Sequence, residues 1–255
     1  MNIMHLQPTT HSRASPTRIQ VVAALRFYAT GTFQLMVGDY MHLSKASICR
    51  IVRDVSYALA RMMNQFIHFP ANTQTTKERF FDIAHIPNVV GAIDCTHVRV
   101  TVPKENQIFY VNRKRYHSIN VQEICGPNRE FYNIIAKYSG STHDSRIFAQ
   151  SAVFRDYEAG RIRGTLVGDA GYACKPYLLT PYDIPARNRT EGRFNKYHAK
   201  KRVCIEQAFG CLKRRFHVLH GEIRLPDPNK VCAVIAACCV LHNIAIRRRQ
   251  PEFSM

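Results

Sequence analysis

Apolar residues recur with a helical period over the first quarter of the chain. After a polar, turn-rich start at residues 1–16, the pattern predicts three helices within 17–69, with Gly31 ending the first and Ser44 capping the third. The apolar faces of the first and third helices are Val21, Ala24, Leu25 and Tyr28, then Ile48, Ile51, Val52, Val55 and Leu59. We therefore expect a small all-α region ahead of the main domain.

Two short helices, a tight turn and a third helix are typical of a helix-turn-helix module. The early exposed positions of the third helix would then contact a DNA groove or its phosphates. These positions are Lys45, Ser47, Arg50 and, one turn later, Arg53. In the alternative interpretation the three helices only pack together and these side chains face water. The pattern leaves both open.

Beyond a linker at residues 70–74 the apolar pattern changes to short strands alternating with helices. The strand candidates are Val89–Asp94, Val98–Val102, Ser118–Ile124, Phe131–Tyr138 and Thr165–Asp169. The helix candidates are Thr76–His85, 144–159, 195–219 and 229–249. This order predicts an α/β domain over 75–250, with a mixed sheet flanked by helices.

Charge and composition narrow the class of partner. The chain has 255 residues with 36 Lys and Arg against 18 Asp and Glu, a net charge of +18, which favours nucleic acid. The longest apolar run, Val231–Leu241, is shorter than the roughly 20 residues of a membrane span, so we predict a core helix and no membrane partner. The nine cysteines include no Cys-x-x-Cys pair, which disfavours a zinc site and fits a reducing compartment.

Three acids stand out as a candidate metal site. Asp94 and Asp169 each close a short apolar run, and Glu206 is the only acid among eight Lys and Arg between Arg193 and His217. If the two strands are neighbours, both aspartates emerge at one sheet edge, and a helical glutamate could join them. Such carboxylates can hold two divalent cations against a phosphodiester. Alternatively, Glu206 pairs with Arg202 and the aspartates cap turns.

Residues around the three acids could support the site. His97 could orient a ligand, contact phosphate or be an interior histidine. His143 and Asp144 lie at a strand-to-helix junction, where Asp144 could be a further ligand or a helix cap. Arg202 and Lys213 lie on the basic helix of Glu206 and could hold the DNA backbone.

Five ordered motifs carry a family resemblance over roughly residues 17–247. They are Gly91-Ala-Ile-Asp-Cys-Thr-His97, Gly140-Ser-Thr-His-Asp-Ser-Arg-Ile-Phe148, Val167-Gly-Asp-Ala-Gly-Tyr172 with Leu178-Leu-Thr-Pro-Tyr182, Ile205-Glu-Gln-Ala-Phe-Gly-Cys-Leu-Lys-Arg-Arg-Phe216 and Cys238-Cys-Val-Leu-His-Asn-Ile244. In this order they resemble the PIF/Harbinger DDE transposases, and within them the Harbinger transposase-derived nucleases.

The resemblance implies an RNase H-like fold whose catalytic and metal-binding triad is Asp94, Asp169 and Glu206. It implies a two-metal site for Mg²⁺ or Mn²⁺, a DNA substrate and hydrolysis of phosphodiester bonds by an endonuclease. It also implies a separate Myb-like DNA-binding partner protein and residence in the nucleus, with a cytoplasmic pool left open.

The chain departs from the family pattern at two points. Cys95 stands where such transposases commonly have glycine, and the chain starts late relative to the family. A second hypothesis is therefore a domesticated DNA-binding or adaptor protein that no longer cuts. The target sequence, the ability to join strands and the oligomeric state are open at this stage.

Overall fold

A computed structural model describes residues 15–102 and 107–251. Its helices are α1 (Thr17–Thr30), α2 (Gln34–Met41), α3 (Lys45–Arg61), α4 (Met63–Phe66), α5 (Gln74–Ile83), α6 (Gln107–Tyr110), α7 (Asp144–Ala149), α8 (Ala152–Glu158), α9 (Arg189–Arg215) and α10 (Pro228–Arg247), with a 3-10 turn at His217–Leu219. Its strands are β1 (Val89–Val100), β2 (Ser118–Cys125), β3 (Phe131–Ser139), β4 (Thr165–Val167), β5 (Leu178–Leu179) and β6 (Glu222–Ile223).

The chain forms two compact units, each assembled from separate stretches. The helical unit takes the described parts of Met1–Phe66, Val98–Ile119 and Cys211–Met255, and the sheet unit takes Ile67–His97 and Asn120–Gly210. One junction, after Phe66, lies near the linker expected at 70–74. The two later segments of the helical unit come from within the span of 75–250, and no composition shift marks them.

The strands form a mixed sheet in the order β3-β2-β1-β4-β5, with β6 also paired to β1. The β1–β4, β4–β5 and β1–β6 pairs are parallel. The connection between β2 and β3 spans residues 126–130, which is too short for a parallel crossover, so these neighbours are antiparallel. The predicted α/β class with a mixed sheet is confirmed.

β1 differs from its prediction. The two strand candidates Val89–Asp94 and Val98–Val102 are one continuous strand, so Asp94 lies inside β1 and not at its end. β4 ends at Val167, so Asp169 lies two residues beyond that strand. The predicted helix at 144–159 is two helices, because Ser151 accepts a hydrogen bond from the Phe154 N–H and starts α8.

An apolar cluster on one face of β1 forms the core of the sheet unit. It contains Val90, Ile93, Ile124, Phe148, Val153, Tyr157, Leu166, Tyr172 and Leu178. Since successive side chains of a strand point to opposite faces, Ile93 faces this core and Asp94 points to the other side of the sheet. Packing of the core therefore fixes the direction of the Asp94 carboxyl.

The helical unit is built around α3 and α10. Ser44 caps α3 by accepting a hydrogen bond from the Ser47 N–H, and the whole predicted stripe of α3 is buried, as expected. The buried face of α1 is instead Ala23, Ala24, Phe27 and Tyr28, with Leu25 exposed.

α10 confirms the core helix predicted at Val231–Leu241. By length and composition it could cross a membrane, with a mean hydropathy of 1.7 over an 18-residue window. However, 61% of that window is buried inside the structure and α10 packs against α3, which accounts for its apolar composition.

Gly164 provides a test of how closely β4 approaches β1. Its φ of +126° is unfavourable for other residues, and an alanine methyl would lie 2.4 Å from Val90 Cγ1. We expect Gly164→Ala to lower the free energy of unfolding by about 2–4 kcal/mol. Gly160 has a φ of +68° but open space around it, so Gly160→Ala should cost only about 1 kcal/mol. Chemical denaturation measures both, and equal losses would contradict this packing.

Candidate active site

The parallel register of β1 and β4 brings the two aspartates together. Ala92 pairs with Val167, and Asp94 and Asp169 each lie two residues further along the chain, Asp94 within β1 and Asp169 beyond the end of β4. Asp169 Oδ1 accepts a hydrogen bond from the Gly171 N–H at 3.0 Å, which fixes its turn. The negative charge of Asp169 also acts on Asp94, as expected of close carboxylates.

The third predicted acid is connected through an arginine of α9. Arg202 Nη2 donates to Asp94 Oδ2 at 2.7 Å and lies 3.8 Å from Glu206 Oε1. The side chains of Asp94 and Arg202 are 15% and 20% exposed, whereas that of Glu206 is 57% exposed. Arg202 therefore bridges a largely buried carboxylate and an exposed one. The structure shows the Arg202–Glu206 pair of the alternative interpretation, and contact of Arg202 with the DNA backbone stays a prediction.

Burial dominates the electrostatics of Asp94. Loss of solvent raises the pKa of this carboxyl above its usual value, and the nearby charge of Asp169 raises it further. The charge and hydrogen bond of Arg202 and the Cys95 N–H, which donates to Asp94 Oδ1 at 2.8 Å, act in the opposite direction. Burial thus disfavours the ionised form of Asp94, and Arg202 offsets part of this effect.

His198 belongs to the same stripe of α9, because residues 198, 202 and 206 are spaced by four and share one helical face. Its ring Nε2 lies 3.0 Å from the Leu179 carbonyl of β5, so the neutral tautomer with Nε2–H donates there. Burial lowers the pKa of His198, and the charge of Arg202 adds to this effect. We missed this residue from the sequence, although its spacing from Arg202 and Glu206 was a usable signal.

Lys201 anchors α9 to α5. Its side chain is completely buried, and Nζ donates a hydrogen bond to the Phe80 carbonyl and lies 5.5 Å from the centre of the Phe80 ring. Burial lowers the pKa of this lysine to about 8. The lysine next to Arg202 in sequence is thus structural, and it limits rotation of the helix that presents Arg202 and Glu206.

Asp144 lies behind Asp94, on the core side of β1. Asn120 Nδ2 donates to Asp144 Oδ1 at 2.8 Å, and Asp144 hydrogen-bonds with the Cys95 thiol. Cys95 Sγ also lies 3.3 Å from the Tyr172 hydroxyl. Because Cys95 points to the opposite face from Asp94, this thiol does not crowd the carboxylates. Burial raises its pKa well above the usual value, so it is a poor nucleophile.

Asp144 is not the helix cap that the sequence favoured. The N-cap position of α7 is His143, which makes no side-chain capping bond, and Asp144 is the first helical residue. His143 is exposed, and His97 is half-buried within β1. Within residues 15–102 and 107–251, no three His, Cys, Asp or Glu side chains lie close enough together to hold a metal ion. The metal-ligand assignment therefore stays a prediction.

The residues predicted to bind DNA through the helical unit have different surroundings. Lys45 and Arg50 are exposed, and Lys45 lines a cavity of about 390 Å³. Ser47 is engaged at the helix cap and accepts from Arg50 Nη2 at 3.3 Å. Arg53 forms an ion pair with Asp54 at 2.7 Å, which raises the pKa of that guanidinium. Lys213 lies near the end of α9 and is half-buried.

Comparison with known proteins gives one family. A family model described as DDE superfamily endonuclease matches residues 93–243. Proteins named "Putative nuclease HARBI1" from Bos taurus and Homo sapiens are each 37% identical over 254 residues, covering 97% of this chain and 72% of theirs. "Protein ALP1-like" of Arabidopsis thaliana is 27% identical over 244 residues, covering 89% of this chain and 60% of its own. No solved structure matches.

The buried Lys201 predicts a specific pH dependence of stability. The folded state loses this proton near pH 8 and the unfolded lysine near pH 10.5, so unfolding takes up a proton between these values. The contribution of Lys201 to the free energy of unfolding therefore rises with pH across this window. Between pH 7 and pH 10, the free energy of unfolding of the parent should rise by on the order of 1–3 kcal/mol relative to that of Lys201→Met. Urea denaturation at both pH values measures it.

Lys200→Met serves as the control, because Lys200 is the exposed neighbour of Lys201 on the same helix. The difference in the free energy of unfolding between Lys200→Met and the parent should stay constant with pH. The same constant difference for Lys201→Met would show that this lysine titrates as it does in water.

Proposed function

This chain belongs to the family of DDE superfamily endonucleases, and we propose that it is a divalent-metal-dependent DNA endonuclease that hydrolyses phosphodiester bonds. The family and the names of the relatives support a nuclease-type function. The observation that carries the proposal further is the register of β1 and β4, in which Asp94 and Asp169 each follow the paired residues Ala92 and Val167 by two positions. Arg202 of α9 then links Glu206 to Asp94.

Asp94, Asp169 and Glu206 would hold Mg²⁺ or Mn²⁺, in a two-metal site. Their hard carboxylate oxygens suit these cations, and a nearby positive charge favours the ionised form of the buried Asp94. When bound, such ions would activate water and stabilise the leaving oxygen of the phosphodiester. The residues present thus fit a metal by donor type and by charge.

Arg202 now supplies the charge that a metal would supply. A guanidinium bonded to Asp94 Oδ2 competes with any cation for that oxygen. We therefore propose that metal loading requires Arg202 to release Asp94. This exchange also accounts for the wide spacing of the acids, since Glu206 is exposed and meets Asp94 only across Arg202.

Nearby residues orient the carboxylates. Backbone N–H groups of Cys95 and Gly171 hold one oxygen of Asp94 and one of Asp169, which limits rotation of both carboxylates. His198 connects α9 to β5 by its hydrogen bond to the Leu179 carbonyl, and this contact helps to fix the position of Arg202 and Glu206 along the sheet. Asp144 acts on Asp94 indirectly, through Cys95.

We also propose the DNA contacts and cellular context expected from the sequence. Lys45, Ser47, Arg50 and Arg53 would contact duplex DNA through α3, and Lys213 would contact its backbone. Arg202 would do so only after it leaves Asp94. A Myb-like partner protein and residence in the nucleus, where the DNA substrate lies, belong to the same proposal.

One observation favours a second function, a DNA-binding or adaptor protein that does not cut. Arg202 already neutralises Asp94, as it would in a site that has no further use for a metal. A relative at 27% identity is named for antagonism of LIKE HETEROCHROMATIN PROTEIN 1 in Arabidopsis thaliana, which is not a nuclease name. Retention of all three acids favours cutting.

Nicking of supercoiled plasmid DNA in Mg²⁺ or Mn²⁺ tests the proposal. Asp94→Asn, Asp169→Asn and Glu206→Gln should each lower the nicking rate by roughly 100-fold or more, because each removes a charge that the metal site needs. Asp183→Asn should leave the rate unchanged, since the Asp183 side chain is 91% exposed.

Two outcomes would contradict the nuclease. Parent-like nicking by the Asp94→Asn protein would show that the activity comes from elsewhere. Salt-dependent DNA binding by the parent with no cleavage under either metal would favour the second function.

A further inference from the structure

α9 carries a row of exposed cations that the triad does not use. Arg193, Lys196 and Lys200 are all exposed and follow at spacings of three and four residues, which places them on one helical face. Among the residues that the structure describes, none of the three forms an ion pair with a carboxylate, in contrast to Arg202. Their charge is therefore available to an anionic partner.

Aromatic rings lie beside this row. Arg193 Cζ lies 5.5 Å from the centre of the Tyr197 ring. The Tyr197 ring meets His85 edge-on at 6.3 Å, and His85 meets Phe81 at 5.1 Å. His85 is exposed, Phe81 is 43% exposed, and Tyr197 is half-buried. Three rings from the end of α5 and from α9 thus form a continuous line at the surface of the sheet unit.

The cations converge on the same point of this line. A hydrogen bond from Arg193 lowers the pKa of Tyr197, and the charges of Arg193, Lys200 and Lys196 lower it further. The positive charges of all three side chains therefore act on one phenol. We call this surface the aromatic–cation patch, defined as Phe81, His85, Arg193, Lys196, Tyr197 and Lys200.

The combination points to one chemical class of ligand. Exposed rings offer faces on which unpaired bases stack, while the neighbouring cations follow the phosphates, and proteins that bind single strands use this pairing. A duplex buries the faces of its bases and would use only the cations. We propose that the aromatic–cation patch binds single-stranded nucleic acid, with bases stacked on Tyr197 and Phe81 and phosphates held by Arg193, Lys196 and Lys200.

The patch and the candidate site share one helix but lie on different faces of it. Lys200 and Glu206 are six residues apart, which is about 9 Å along the axis of α9 and about 120° around it. The binding itself uses none of the three acids, so it does not rest on the proposed nuclease function.

Fluorescence anisotropy with a labelled 20-nucleotide oligo-thymidine, and with a duplex of equal length, tests this inference. The measurements use the full chain in EDTA, where metal-dependent cleavage does not occur, at 150 mM salt. Tyr197→Ala and Phe81→Ala should each weaken binding of the single strand roughly 5- to 50-fold, because each removes a stacking surface. Binding of the duplex should change by less than about twofold. Lys200→Gln should lower the salt slope of single-strand binding by about one.

Tyr40→Ala is the matched control, because Tyr40 is 63% exposed and carries Arg26 over its ring at 3.4 Å, yet belongs to the helical unit. It should bind the single strand like the parent. Phe81 is exposed and Tyr197 is half-buried, and thermal melting checks that each variant is folded. Unchanged single-strand binding in Tyr197→Ala and Phe81→Ala, equal losses for single strand and duplex, or an equal loss in Tyr40→Ala would each overturn the proposal.

Discussion

The parallel pairing of β1 with β4 is the constraint on which the rest of the site depends. Because Ala92 lies opposite Val167, residues 94 and 169 each follow this pair by two positions, and the pairing brings them near each other. The apolar cluster holds this register from one face, through Ile93 and Leu166, so that Asp94 must point to the other. Two like charges are thereby forced together in a partly buried place, which is unfavourable unless a cation joins them.

Arg202 resolves that conflict in the structure. It bonds to Asp94, approaches Glu206 and is held in place because Lys201 and His198 fix α9 on either side. On the proposed function, a catalytic metal and an arginine would be alternatives for one carboxylate. This protein of net charge +18 thus places one of its cations, Arg202, inside the site, while Arg193, Lys196 and Lys200 stay exposed.

Sequence patterns within one helix or strand predicted the features of that element, but they did not predict contacts between residues far apart in the chain. Ser44 capping, the α3 stripe and the core helix α10 follow from spacing within one element, and so does the placement of Glu206 beside a buried face. The Asp94–Arg202 bond joins residues 108 apart, and periodicity carries no information about it. β5 and β6 have two residues each, too few to show alternation, and exist only because neighbouring strands pair with them. In the sequence, His97 and Cys95 are polar residues close to an acid, which suggests that they share its site. In the strand, however, both side chains point to the face opposite that of Asp94.

The central claim is that Asp94, Asp169 and Glu206 form a cation site from which Arg202 can be displaced. The most direct measurement is a crystal structure of the full chain soaked in Mn²⁺, with anomalous diffraction to locate the metal. The account predicts Mn²⁺ bound by oxygens of Asp94 and Asp169, with Glu206 completing the site and the Arg202 guanidinium moved away from Asp94. Mn²⁺ bound elsewhere, with the 2.7 Å Arg202–Asp94 bond intact at saturating metal, would contradict it.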